Sequence, residues 1–193
     1  QESRGLGDVY KRQLHPSDMI PSLLALTEWR GRSPKEFIVA TALAYEVGVC
    51  LCDAGGLRAH GWDHVNYTAL GAACGAAYLL DLGPQRTEHA VAITAIPHAA
   101  MRQTRAGELS MWKGAAAAEA TRNALEAALL ASCGMTGPSS PFEGEMGFFR
   151  QLLRGEGFDE AALRPLGEQS PPTRIRDTYI KFCLLYTSDA ADE

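Results

Sequence analysis

The sequence predicts a mainly α-helical domain that passes, near its C-terminal end, into a second structural region. Three observations carry this reading. Apolar residues recur at helical spacing through several long segments, Pro, Gly and capping residues punctuate those segments, and no sustained period-two alternation appears before residue 174.

Pro16-Ser17-Asp18 offers capping side chains before a helix over 19–29. There Ile20, Leu23, Leu24 and Thr27 follow helical spacing, and Pro21 is tolerated in the first turn. Ser33-Pro34-Lys35-Glu36 combines a capping box with proline at the first helical position. It launches a helix to about Cys52, with Phe37, Ala40, Ala44 and Val47 along one stripe, ended by Gly55-Gly56. Residues 57–66 lack clean periodicity and read as a connection. The helix expected over 68–82 is rich in Gly and Ala, so Gly71, Gly75 and Ala76 permit close approach between helices, and Gly83-Pro84 terminates it. Thr87 is expected to cap a helix reaching about Ile96, stopped by Pro97. A polar loop over 101–110 leads, through Ser110, into a long Ala-rich helix over 112–132 ended by Gly134. Shorter helices are expected near 145–153 and 159–163. After Pro171-Pro172, the run over 174–182 alternates and carries β-branched and aromatic residues, so a strand is expected there.

The two ends read differently from the body. The end of the run over 3–13 can be written TGTATAAGAGACAG, and the run over 183–188 can be written TGTCTCTTATACACATCT. These share one DNA word on opposite strands, shifted by one base, and they look like sequencing-library adapters. Residues 1–13 and 183–193 are therefore expected to be adapter-derived tails. The organisation that follows is a partial helical domain over 14–172 and the start of a further region over 173–182.

The chain holds 18 basic and 23 acidic residues. The two ends carry three of the bases and five of the acids, leaving 15 and 18 in the body. That balance argues against a general nucleic-acid or anionic-membrane binder, which would show a basic excess. No apolar run is read as reaching the roughly 20 residues that span a bilayer. Cys50, Cys52, Cys74 and Cys133 form no Cys-x-x-Cys pair and sit in apolar, Ala-rich surroundings. Buried reduced thiols and a cytoplasmic compartment are expected.

Among the histidines, His89 falls within a helix and reads as surface or structural, and His98 follows Pro97 where it could cap carbonyls. His15 and His64 both lie at helix entrances, where clefts form. His60-x-x-x-His64 has metal-pair spacing, but Gly61 weakens a helix there and the Glu of a His-Glu-x-x-His motif is absent. No Gly-x-Ser-x-Gly elbow or Gly-rich phosphate fingerprint is present. The loop over 101–110 places Arg102 and Arg105, then Lys113, around the N-terminus of the long helix. Backbone N–H groups, the helix dipole and guanidinium forks there could hold a carboxylate. A solvated basic loop neutralised by Glu108 fits those residues equally well.

The order of segments is more specific than any single residue. His15-Pro16-Ser17-Asp18, then Arg58-Ala59-His60-Gly61-Trp62-Asp63-His64-Val65-Asn66-Tyr67, then Arg102-Gln103-Thr104-Arg105-Ala106-Gly107-Glu108-Leu109-Ser110-Met111-Trp112-Lys113-Gly114, then Gly134-Met135-Thr136-Gly137-Pro138 with Phe142-Glu143-Gly144, resemble MmgE/PrpD proteins throughout. Tyr179-Ile180-Lys181-Phe182 looks like the start of a further family segment. The resemblance covers essentially all of 14–182. It is closer to 2-methylcitrate dehydratases than to animal cis-aconitate decarboxylases, which share His15, His64 and Lys181 but differ around Trp112-Lys113.

The resemblance implies a helical large domain followed by a smaller α/β lid, usually in a homodimer, acting without metal or organic cofactor on a di- or tricarboxylate. It implies catalytic roles for His15, His64 and Lys181, with Ser17, Arg102, Arg105 and Lys113 as substrate-binding candidates. Family site residues upstream of His15 and just beyond Lys181 have no counterpart in this sequence, so the chain alone is expected to be inactive. The expected activity of the parent protein is dehydration of 2-methylcitrate to 2-methylaconitate. Decarboxylation or isomerisation of a related acid such as cis-aconitate is the alternative, and a non-catalytic helical dimerisation module is the alternative of another class.

Overall fold

The computed structural model describes residues 8–9, 14–155, 158–167 and 171–180. Of the two expected tails, only Asp8 and Val9 fall within these residues, and Lys181 lies outside them.

The helices begin where the local chemistry permits. A 3-10 turn, Pro16–Met19, runs directly into α1, Ile20–Arg30, which Gly31 closes in the left-handed conformation at φ 65°. The capping box expected at Ser33 is present: the Ser33 hydroxyl accepts from Glu36 N–H, and the Glu36 carboxylate accepts in return from Ser33 N–H. It opens α2, Pro34–Ala54. Then come α3, Val65–Leu79; α4, Pro84–Ala95; α5, Trp112–Ser132; α6, Phe148–Leu152; and a short α7, Arg164–Gly167.

Several expectations need correction. The third helix starts at Val65, three residues early, because Asp63 and His64 before it supply acceptors: Asp63 Oδ1 for Val65 N–H, and the Asp63 and His64 carbonyls for Asn66 and Tyr67 N–H. Thr87 does not cap α4: Gly83 does, with Pro84 at the first helical position, and the Thr87 hydroxyl donates back to the Gly83 carbonyl. Pro84 therefore starts a helix instead of ending one. Of the expected strand over 174–182, Arg174–Asp177 is a 3-10 turn, Thr178 is extended, and β2, Tyr179–Ile180, pairs antiparallel with β1, Asp8–Val9, while 181–182 lie outside the described residues. Finally, α2 is long and apolar enough, by length and composition alone, to cross a membrane. Here it is a core helix, burying Ala40, Ala44, Tyr45 and Val49 and carrying a buried Glu46.

Helix α3 is the central element. Nearly every residue along it is buried, and it packs against α2, α4 and α5. Its neighbours meet it through alanines. Ala40 and Ala44 of α2, Ala72, Ala73 and Ala76 of α3, Ala90 of α4 and Ala124, Ala128 and Ala131 of α5 form one cluster with Met19, Leu23 and Leu79. Small side chains let the helix axes approach, so the packing energy comes from many close backbone-to-backbone contacts instead of a few large residues. A second cluster, richer in large residues, joins Leu14, Val49, Leu57, Tyr67 and Leu70 to Phe148, Leu152 and Leu153. Tyr67 is fixed within it by donating to the Gly55 carbonyl at 2.7 Å, which ties the start of α3 to the end of α2.

The thiols divide. Cys50 and Cys52 are buried, and burial pushes the Cys50 thiol up to about 11, which leaves it inert at neutral pH. Cys74 is only partly covered, and Cys133 at the end of α5 is exposed, contrary to the expectation that all four are buried.

Candidate active site at the start of the central helix

Two chain segments converge on the N-terminus of α3. The first carries His15. Leu14 and Met19 flank it, both fully buried, and each sinks against a glycine: a Cβ on Gly48 would stand 3.0 Å from Leu14 Cδ2, and one on Gly71 would stand 2.7 Å from Met19 Sδ. Pro16 is also buried. The segment is thus pinned on both sides of His15, and the imidazole is delivered to α3 by packing of its neighbours.

The second segment is a clip between residues 61–66 and 100–105. Trp62 and Met101 form an antiparallel bridge, Asp63 N–H donates to the Ala100 carbonyl at 3.0 Å, and Arg102 N–H donates to the Gly61 carbonyl at 3.0 Å. Gly61 makes this possible by turning at φ 84°, a left-handed conformation that a side chain would resist. Asn66 locks the clip from inside. Its amide donates to the carbonyls of Asp63 at 2.8 Å and Ala100 at 3.0 Å, and its carbonyl accepts from Ala100 N–H at 2.7 Å.

This geometry brings His15 and His64 together edge to face, with ring centroids 4.9 Å apart and planes inclined at 60°. Beneath His64 lies Asp63, only 1 % exposed. His64 Nδ1 is 3.0 Å from Asp63 Oδ1, and Arg105 Nε lies 3.0 Å from Oδ1 and 2.9 Å from Oδ2. Val65 N–H, at the start of α3, also donates to Oδ1 at 3.3 Å. Burial acts to raise the Asp63 carboxyl, but the hydrogen bond and charge of His64, with the charge and hydrogen bond of Arg105, outweigh it and hold the group at about 2. The carboxylate is therefore ionised throughout the neutral range. On the far side of the ring, His64 Nε2 is buried and has no hydrogen-bond partner among the described residues, and the same is true of the Thr68 hydroxyl one turn along α3. An unpaired buried polar atom costs about 1–3 kcal/mol.

The remaining candidates take different places. Arg102 is half-buried in the 3-10 turn Arg102–Arg105, its backbone tied to Gly61. Lys113 is half-buried in the first turn of α5, with its N–H on the Ser110 carbonyl. Ser17 is half-buried in the turn after His15. His60 ends the 3-10 turn Arg58–His60, and Gly61 separates it from α3, so the His60/His64 spacing does not lie on one helix. No three His, Cys, Asp or Glu side chains among the described residues group as metal ligands. His98 is exposed, and His89 is half-buried and accepts from Gly137 N–H at 3.4 Å. Asp63 and Asn66 are the residues that sequence reasoning passed over. The available signal was an acid directly beside a candidate histidine, but adjacency alone does not say that the two side chains meet.

Known proteins are similar to this chain over most of its length. The sequence model of the MmgE/PrpD N-terminal domain matches residues 6–161. The alkylcitrate dehydratase phiI of Fungal sp. (strain ATCC 74256) is 28% identical over 183 residues, covering 86% of this chain and 35% of its own length. The 2-methylcitrate dehydratase of Escherichia coli (strain K12) is 28% identical over 156 residues, covering 75% of this chain and 32% of its own. That of Cupriavidus necator is 28% identical over 159 residues, with the same coverage of 75% and 32%. The chain thus spans about a third of the length of these relatives.

Proposed function

The chain belongs to the MmgE/PrpD family, and from that premise we propose that it supplies part of the active site of a dehydratase converting 2-methylcitrate to 2-methylaconitate. The observation that carries the reading is the His15–His64 pair, 4.9 Å apart, set above a buried carboxylate. The names of the dehydratase relatives support the reaction class.

Dehydrating a β-hydroxy tricarboxylate needs a base for the proton beside a carboxylate, an acid for the departing hydroxyl, and cations for a multiply charged substrate. Imidazoles suit both proton transfers, because the unperturbed histidine pKa of about 6.5 lies near working pH. In this proposal His64 and His15 move the protons. The C–H bond breaks toward one imidazole, its electron pair forms the new C=C bond, and hydroxide leaves as water on taking a proton from the other. Lys181 polarises a substrate carboxylate, and cationic groups offset charge as it develops. Ser17, Arg102 and Lys113 are proposed to bind the substrate's carboxylates. Arg105 is proposed to assist through its Nη groups, since its Nε is occupied by Asp63.

The test uses a chain extended to the length of the relatives, supplied with 2-methylcitrate, and follows the appearance of unsaturated tricarboxylate. Product formation that falls by orders of magnitude on His64→Gln, with the fold retained, supports the reading. Wild-type turnover by that variant overturns the role of His64. Carbon dioxide release from cis-aconitate without dehydration of 2-methylcitrate replaces the reaction by decarboxylation.

A further inference from the structure

We infer that Asp63 is a positioning residue, held by Arg105, which fixes the proton of neutral His64 on Nδ1 and so makes Nε2 the atom of His64 that accepts a proton. The chemical use of that atom rests on the dehydratase reading above; the assignment of the tautomer does not.

The argument begins with what each group can donate. An ionised carboxylate only accepts hydrogen bonds. Asp63 is buried and bonded by Arg105 Nε on both oxygens, at 3.0 and 2.9 Å, and by Val65 N–H at 3.3 Å. The contact of 3.0 Å between its Oδ1 and His64 Nδ1 is therefore a hydrogen bond only if Nδ1 carries the hydrogen. A neutral imidazole has one N–H, so Nε2 then bears the lone pair. Nε2 is the nitrogen left without a partner among the described residues, and it belongs to the ring whose centroid lies 4.9 Å from that of His15.

Arg105 contributes in two ways. Its charge and hydrogen bond add to those of His64 in keeping Asp63 ionised despite burial, and its Nε bonds both oxygens, which favours the orientation of the carboxylate toward His64. The clip between 61–66 and 100–105 brings the arginine to this point, since Arg102 N–H on Gly61 and Asp63 N–H on Ala100 set the register of the two loops. The role of the second loop is thus partly to hold the carboxylate that orients His64.

The test needs no substrate. The 193-residue chain, labelled with nitrogen-15 at histidine, is studied by long-range proton–nitrogen correlation at pH 8, with His64→Gln identifying the His64 signals. The expected spectrum shows His64 protonated at Nδ1 and unprotonated at Nε2. Asp63→Ala is expected to move the proton to Nε2 or to leave a mixture, while Asp63→Glu restores part of the Nδ1–H form. A wild-type spectrum with the proton on Nε2 overturns the inference, and so does a folded Asp63→Ala chain with an unchanged tautomer. If Asp63→Ala does not fold, the wild-type spectrum decides alone. Nδ1–H in that spectrum together with an extended chain that does not dehydrate 2-methylcitrate would remove the proposed reaction and leave the positioning role standing.

Discussion

Gly71 of α3 lies so close to Ala44 of α2 that a Cβ on it would stand 2.5 Å from the Ala44 carbonyl oxygen. The obstruction is backbone, which cannot swing aside, and on its other flank the same Cβ would meet Met19 Sδ at 2.7 Å. Met19 closes the turn that carries His15, so the glycine links helix packing to the candidate site.

Gly71→Ala should therefore destabilise the fold by about 1–3 kcal/mol, the usual cost of overpacking a core. The comparison is Gly114→Ala in α5, where nothing lies within 4 Å. Removing glycine from a helix there should gain up to about 1 kcal/mol. Urea unfolding of both variants gives the result, and an equal response from the two would show that the α2–α3 contact is not tight.

Ser33 tests local chemistry alone. Its hydroxyl accepts from the Glu36 N–H at 3.3 Å, at an exposed helix start away from the site. Ser33→Ala should cost about 1 kcal/mol, and Ser33→Asp much less, because aspartate caps as well. Matching unfolding midpoints for serine and alanine would mean that α2 is held by its packed face and not by its cap.

These two cases mark how far the residues themselves reveal the fold. The capping box at Ser33 and the close approach at Gly71 are local signals, and both were legible. Pro84 is ambiguous in sequence because Gly-Pro can either end a helix or begin one; here α3 stops at Leu79 and Gly83-Pro84 only opens α4. At the site, His15 and His64 stood out as histidines at helix starts. Their contact did not, since it depends on Leu14 and Met19 finding Gly48 and Gly71 across the core. Asp63 was hidden for a related reason: its meaning comes from Arg105, a partner 42 positions away in the chain.

The segment after Pro172 is docked by a buried acid. Glu46 of α2 accepts from the Thr173 N–H at 2.7 Å and the Arg174 N–H at 2.9 Å, and Arg174 Nη1 reaches Asp53 at 3.1 Å. Hydrogen bonds to a charged acceptor contribute about 1.5–3 kcal/mol. Glu46→Ala should thus speed amide hydrogen exchange at Thr173 and Arg174 roughly tenfold or more, leaving α3 and α5 protected. Unchanged exchange at those two amides would mean that other contacts hold the segment.

Asp63 also sets an acid limit on the fold. Its carboxyl has an ordinary value of 3.8 and is held at about 2 in the folded chain. Because the folded value is the lower one, the stabilisation is complete above about pH 4 and is lost as pH falls through about 2. The difference corresponds to about 2 kcal/mol. Asp63→Asn cannot titrate, so its deficit relative to the wild type should be largest above pH 4 and shrink steadily toward pH 2. Urea unfolding of both chains across pH 2–5 measures this directly. A deficit that stays constant with pH would show that the folded chain does not hold the carboxyl below its ordinary value, and that Arg105 and His64 contribute shape to this place without favouring its charge.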